Sequence, residues 1–232
     1  MEGKLTILPT LDGSLTFYNQ TIHQSYHSVN GALQEARHVF LENGLFQYLQ
    51  AFPKKEISIL EVGFGAGLNF MVTADYCETQ NITLNYTGLE PYPIDRSLII
   101  ESHYNKWINH QKLWNNFIST YKDTLSLVQM NLSSLIKLRL EKVLLKTFKS
   151  EKKYDLIYYD AFAPATQPEL WQRESILHTL SMLADNGMFV SYSITGNLKR
   201  ILRAEGFTVE KPKGAAGKRE MVRAYKPAVV NV

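Results

Sequence analysis

Short apolar runs alternate along the chain with stretches of helical character, and the alternation predicts an α/β protein. Residues 57–62 form an apolar run that stops at glycines, 84–89 alternate into a second strand, and 125–130 make a third. Residues 154–159 and 188–192 supply a fourth and a fifth. Between them, 68–77 suit a helix. Residues 133–148 predict a strongly periodic one, with Ile136, Leu140, Val143, Leu144 and Phe148 on one stripe and Lys137, Lys142, Lys146 and Lys149 on the other faces. After the fifth strand, 197–205 predict a helix ended by Gly206, then short strands at 207–210 and 220–225 that pair antiparallel. Residues 1–50 precede this core as an extension, with Gly13 and Asn19 in turns and a helix over 31–50. Residues 92–122 exceed what one connection needs and predict inserted helices.

Five parallel strands closed by an antiparallel hairpin make an open Rossmann-like sheet, in which ligands bind outside the carboxyl ends of the strands. Chemistry is therefore expected just after the first, second and fourth strands. A length of 232 residues with 45% apolar content suits one domain, an extension over 1–50 packed on a core over 51–232. No apolar run reaches the roughly 18 residues of a membrane span, and the N-terminus lacks a basic region followed by an apolar core. Cys77, the single cysteine, can form no internal disulfide, so a cytoplasmic location is expected. The six histidines (His23, His27, His38, His103, His110 and His178) show no ligand pair with a carboxylate, so no metal is expected.

The net charge of +3 conceals segregation. Residues 137–153 carry +5 and residues 199–226 carry +6, leaving −8 for the rest of the chain. Such clusters suit an anionic partner such as nucleic acid, although a basic face can equally be solvated surface. Lys199, Arg200, Lys218 and Arg219 are the candidate phosphate contacts.

The most informative stretch runs from Ile59 to Asn69, where Glu61 near a strand end is followed by Gly63, Gly65 and Gly67 at alternate positions and then a helix start. Glycines permit turn conformations and close approach of a ligand to backbone N–H groups. A dinucleotide fingerprint needs its third glycine where this chain has Leu68, and no Gly-Lys-Ser/Thr follows for a phosphate loop. The Gly-x-Gly-x-Gly spacing instead resembles motif I of the class I S-adenosylmethionine-dependent methyltransferases. Glu90 ends the second strand 23 residues after Gly67, where a carboxylate can accept two ribose hydroxyls. Asn131, after the third strand, stands where many such enzymes place an aspartate that receives the adenine amino group; its side-chain oxygen can accept the same bond.

The fourth strand ends in Asp160-Ala161-Phe162-Ala163-Pro164-Ala165. An aliphatic amine is protonated at neutral pH and has no lone pair to offer. A carboxylate here could bind it, help remove its proton and stabilise the positive charge that nitrogen gains during transfer. Asp160 could equally cap the next turn, with Phe162 in the core. Trp171, Tyr158 and Tyr159 are candidate stacking platforms for a base or, for the tyrosines, core residues.

Four segments together resemble the MnmD family, equivalent to the methyltransferase half of the bifunctional MnmC proteins. They are Asn30-Gly31 with Glu35-Ala36-Arg37-His38-Val39-Phe40-Leu41; Gly63 through Phe70; Asp160 through Ala165 with Pro168 and Trp171; and Gly217-Lys218-Arg219-Glu220-Met221. The resemblance implies transfer of a methyl group from S-adenosylmethionine to the primary amine of 5-aminomethyl-2-thiouridine at the tRNA wobble position. It implies Asp160 near the amine and Tyr26, Glu61 and Glu90 around the cofactor; Gly63, Gly65, Gly67, Asn69, Asn131 and Asp160 are the further cofactor candidates, and Phe162, Pro164 and Trp171 the candidates toward the substrate. The chain departs from the family at Asn131 and in the tail, where relatives commonly carry an aromatic between the glycines of 214–217. MnmC proteins add a flavin oxidase half. This chain shows no second nucleotide fingerprint, so a stand-alone methyltransferase is expected, with a separate enzyme forming the aminomethyl group. Rival readings are a methyltransferase for a small-molecule or protein amine, and a non-catalytic RNA-binding relative.

Overall fold

The structure is a computed structural model that describes residues 3–122, 127–215 and 217–226. At the N-terminus, β1 (Leu5–Pro9), β2 (Leu15–Asn19) and β3 (Gln24–Ser25) form a small antiparallel sheet. Gly13 lies in the β1–β2 turn, and Asn19 Oδ1 accepts the N–H groups of Thr21 and Ile22 after β2. The expected helix follows as α1 (Ala32–Glu35), a wider π-type stretch (Ala36–Phe46) and α2 (Gln47–Ala51).

The main sheet contains β4 (Glu56–Val62), β5 (Thr83–Leu89), β6 (Leu127–Asn131), β7 (Ile136–Glu141), β8 (Tyr154–Tyr159), β9 (Leu183–Ser191), β10 (Thr208–Glu210) and β11 (Val222–Tyr225), in the order β10-β11-β9-β8-β4-β5-β7-β6. Strands β9, β8, β4, β5 and β7 are mutually parallel. The closing β10–β11 hairpin is antiparallel, as expected, with β11 also antiparallel to β9. Helix α3 (Leu68–Thr79) follows β4, and α4 (Arg96–Glu101) and α5 (Gln111–Thr120) fill the expected insertion. Helices α6 (Arg173–Leu180) and α7 (Gly196–Ala204) follow β8 and β9.

One hydrophobic layer, including Phe40, Phe70, Tyr86, Phe117 and Tyr158, packs one face of the sheet. A second, with Tyr159, Phe189, Leu198, Leu202 and Val222, lies under α6 and α7. Strand β8 is buried along its whole length because both its faces are covered, which is why its sequence shows so little polar alternation.

The helix expected over 133–148 is not formed. Ile136, Leu138 and Leu140 are buried while Lys137 and Arg139 are exposed, a period of two that makes β7. Ser133 starts it: its hydroxyl accepts the N–H groups of Leu135 and Ile136 at 3.1 and 3.0 Å, turning the chain back on β6. The expected strand at 125–130 is therefore β6, which runs against β7 rather than with the parallel set; Leu125 and Ser126 lie outside the described residues. The crossover from β7 to β8 contains only a 3₁₀ turn (Leu145–Thr147). On the face where Lys137 and Arg139 are exposed, the outer strands leave a polar groove of about 850 Å³, lined by residues including Glu56, Asn85, Asn131, Lys137 and Arg139.

Candidate active site at the carboxyl edge of the sheet

The carboxyl ends of β4, β5, β7 and β8 surround a cavity of about 390 Å³. Its walls include six of the residues expected there: Tyr26, Gly63, Gly65, Glu90, Asp160 and Phe162. Gly63 has φ +90°, and a Cβ on it would stand 2.5 Å from the carbonyl oxygen of Asp160, so the strand end and the β8 loop approach as they do only through a glycine. Gly65, at φ +55°, lies beneath the Tyr26 ring, where a Cβ would come within 3.1 Å. The loop supplies shape more than donors. The N–H groups of Gly63 and Phe64 are taken by the Leu89 carbonyl, and that of Gly65 by Glu90 Oε2 at 2.9 Å.

Below the cavity, one amide joins two acids. Asn69, on the first turn of α3, donates through Nδ2 to Glu61 Oε1 at 2.8 Å and to Asp160 Oδ2 at 2.7 Å. Tyr86 donates to the other Glu61 oxygen at 2.8 Å. Burial and the nearby Asp160 hold the Glu61 carboxyl well above the usual range, against the Asn69 and Tyr86 hydrogen bonds. Asp160 is pushed up to about 8 by burial and by Glu35, opposed by the Asn69 hydrogen bond and by Lys218. Glu90 is raised by burial, opposed by the N–H groups of Gly65 and Tyr92. Glu90 and Asp160 at the cavity wall, with Glu61 just below, favour a cationic ligand, because a nearby positive charge stabilises carboxylates that burial makes costly to ionise.

Several expected residues stand elsewhere. Asn131 pairs with Lys137 across the β6–β7 hairpin and lines the groove away from the glycine loop, since β6 runs antiparallel. At the carboxyl edge, the chain just past β7 stands in its place: Val143 and Leu144, with Tyr92, line the cavity. Trp171 is 5% exposed, donates its indole N–H to the Phe162 carbonyl at 2.8 Å and meets Tyr159 edge-on. It braces the loop from beneath, as a fully buried Tyr158 and Tyr159 do in the core, so none of the three is a stacking surface. Pro164 sits half-buried in the turn that the Thr166 and Gln167 N–H groups close on the Ala163 carbonyl. Lys218 is half-buried and paired with Glu35. Arg200 and Arg219 are exposed and Lys199 is half-buried. Gly67 starts α3, with its would-be Cβ against Phe64. His27, Tyr92, Val143, Leu144 and Gln167 also line the cavity, and none of them was expected there. No motif spacing marks them, because distant segments bring them together.

Among the described residues no cluster of His, Cys, Asp and Glu could hold a metal ion, and no helix is long and apolar enough to cross a membrane. The fit to S-adenosylmethionine rests on the side chains. Glu90 keeps lone pairs for ribose hydroxyls, Asp160 offers an acceptor to an ammonium group with the Glu61 charge just below, and Gly63 and Gly65 leave the floor clear.

Sheet order and carboxyl-edge cavity define a class I methyltransferase fold. A family profile described as S-adenosyl-L-methionine-dependent methyltransferase matches residues 105–227, and the chain belongs to that family. Among similar proteins, the tRNA 5-methylaminomethyl-2-thiouridine biosynthesis bifunctional protein MnmC of Leptospira borgpetersenii is 29% identical over 90% of this chain and 33% of its own length. The MnmC of Aromatoleum aromaticum is 30% identical over 85% of this chain and 32% of its own length. The chain thus spans about a third of the length of these relatives. A crystal structure of MNMC2 from Aquifex aeolicus superposes with a TM-score of 0.72 at 24% identity, covering 98% of this chain and 72% of that one, and shows the same fold.

Proposed function

We propose that the protein methylates the primary amine of 5-aminomethyl-2-thiouridine at the wobble position of tRNA. Residues 51–232 act as the catalytic domain, and residues 1–50 as an extension that contributes Tyr26 and His27 to the cavity wall. The similarity to MnmC proteins over about 90% of the chain supports this substrate. The observation that carries the reading is the Asp160 carboxyl, held by Asn69 at the cavity wall beside Glu61. S-adenosylmethionine, when bound, supplies an electrophilic methyl group on a cationic sulfur.

In this reading Glu90 accepts the ribose hydroxyls, Glu61 faces the methionine ammonium, and Val143, Leu144 and Tyr92 enclose the adenine. Asp160, drawn toward its ionised form by the cations that enter, takes a proton from the substrate ammonium and frees the nitrogen lone pair. Once that proton has passed on to solvent, the carboxylate stands as a negative charge beside a nitrogen that becomes positive on attack, and so favours the transition state over the ground state. Phe162 closes the site against water, and Tyr26 meets its ring edge-on with the centroids 5.0 Å apart.

The test is mass spectrometry of wobble nucleosides after incubating the protein and S-adenosylmethionine with tRNA from cells that cannot add this methyl. Conversion of the 5-aminomethyl to the 5-methylaminomethyl nucleoside is expected. Absence of conversion with methylation of a free amine or a protein would transfer the reading to a different amine substrate.

A further inference from the structure

The Lys218 ammonium is drawn inward. It pairs with Glu35, whose side chain is 7% exposed, and lies over the Tyr192 ring, 3.8 Å from the centroid. Both partners lead to the catalytic loop and its wall. Tyr192, just past β9, donates its hydroxyl to the carbonyl of Ala161 at 2.9 Å, one residue after Asp160. Glu35, at the end of α1, accepts the N–H of Ser28 at 2.7 Å, in the segment that carries Tyr26 and His27 to the cavity. The C-terminal segment is anchored nearby, where His38 meets the Lys213 carbonyl at 2.7 Å. One cation therefore ties the extension, the end of β9 and the β8 loop around a single carboxyl group.

We propose that Lys218 is a positioning residue for methyl transfer, which fixes the Asp160 loop through its contacts with Tyr192 and Glu35. The proposal rests on the amine-methylation reading above. The groups that face Asp160 are Glu61 from β4, Asn69 from α3, Tyr86 from β5, Glu35 from α1, Tyr192 after β9 and Lys218 itself; His27, from the extension, lies in the fields of Glu35 and Lys218. Glu35 favours the neutral acid and Lys218 the carboxylate. Removing one or the other should therefore move the ionisation of Asp160 in opposite directions.

The experiment compares Lys218→Met, Lys218→Arg and Glu35→Gln with wild type in the pH dependence of kcat at saturating S-adenosylmethionine, using tRNA that lacks the methyl. The acid limb of Lys218→Met should move up by about one pH unit, about a tenfold loss at neutral pH that recovers at pH 9. Lys218→Arg, which keeps the charge, should hold the wild-type limb, and Glu35→Gln should move it down. Cofactor affinity should stay within about threefold, and the salt dependence of tRNA binding should keep its slope, whereas removing a cation that binds phosphate would flatten it by about one unit. A flattened slope with an unmoved limb would overturn the proposal in favour of a phosphate-binding role. Equal damage from the methionine and arginine variants would overturn the role of the charge. Titration of Asp160 by carbonyl ¹³C NMR reads the same displacements without turnover. If wild type itself fails to methylate the tRNA, the substrate reading falls while the titration still decides the role of Lys218; an unmoved Asp160 titration in Lys218→Met refutes that role.

Discussion

Glu90 and Asp160 line one cavity with Glu61 buried just below it, and burial raises the pKa of each. For Asp160 the folded value, about 8, lies above the ordinary 3.8, so between these values the folded protein holds a proton that the unfolded chain releases. Stability from this group is accordingly full below about pH 4 and is lost as pH rises through about 8. Asp160→Asn removes the titration. Calorimetry should show the variant melting on the order of 10 °C above wild type at pH 9 and level with it at pH 4, and a variant melting lower at pH 9 would contradict the burial argument. Its methyl-transfer rate should fall by roughly 10²–10⁴, partly restored at high pH where more substrate amine is neutral, and a near-normal rate at pH 7 would take Asp160 out of the chemistry. Glu90→Ala should cost about 1–3 kcal/mol of S-adenosylmethionine affinity by titration calorimetry, since the ribose hydroxyls lose their acceptor; an unchanged affinity would sink that assignment. Glu61, Glu90 and Asp160 were legible in the sequence because each stands at or near the end of an apolar run. Lys218 was not, because its partner Glu35 lies 183 positions away and a lysine in a basic tail looks the same whether it points outward or inward.

At the scale of elements, β4, β5 and β8 follow from their apolar runs almost to the residue, and the glycine loop and α3 follow from β4. Residues 133–148 show where periodicity misleads. Ile136 and Leu140 fit a helical stripe, but together with Leu138 they fit a strand equally well, and no helix cap follows Ser133 to break the tie. Burial decides it, since a strand beside β5 hides Ile136, Leu138 and Leu140 at once while leaving Lys137 and Arg139 in water. The small sheet β1–β3 was not legible because its strands are short and only partly buried. Reversing β6 also carries Asn131 away from the site. Asn131→Ala should therefore leave S-adenosylmethionine affinity within about twofold of wild type, and a larger loss would mean that the amino-edge groove communicates with the cofactor. Leu138→Ala should destabilise the protein by about 2–5 kcal/mol in urea unfolding, whereas Arg139→Ala should cost under about 1 kcal/mol despite its ion pair with Glu141. Comparable costs at the two positions would favour a helical arrangement of this segment.

Across the whole molecule, charge is sorted about the cavity. The +5 segment passes its mouth on the β7 side, where Lys146 lines the wall and Lys142 is exposed, while α7 and the C-terminal segment present Arg200, Arg219 and a half-buried Lys199. The cavity itself is acidic. In the function proposed above, a polyanion held by these basic segments brings a cationic amine to an anionic floor. Lys199 and Arg200 lie in the first half of α7, whose N-terminus is capped by the Thr195 hydroxyl accepting the Leu198 N–H at 3.1 Å, so both can be changed without touching the core. Replacing both with alanine should weaken tRNA binding at low salt and flatten its dependence on salt by at most about two units of slope, one for each phosphate deprived of its cation. S-adenosylmethionine affinity and the pH profile of kcat should stay as in wild type, in contrast to Lys218→Met, which should move the profile and spare the slope. Fluorescence titrations across a range of salt concentrations, run beside cofactor calorimetry, separate the two patterns. A slope unchanged by the double substitution would place the RNA on the opposite rim, with Lys142 and Lys146 as the next residues to neutralise.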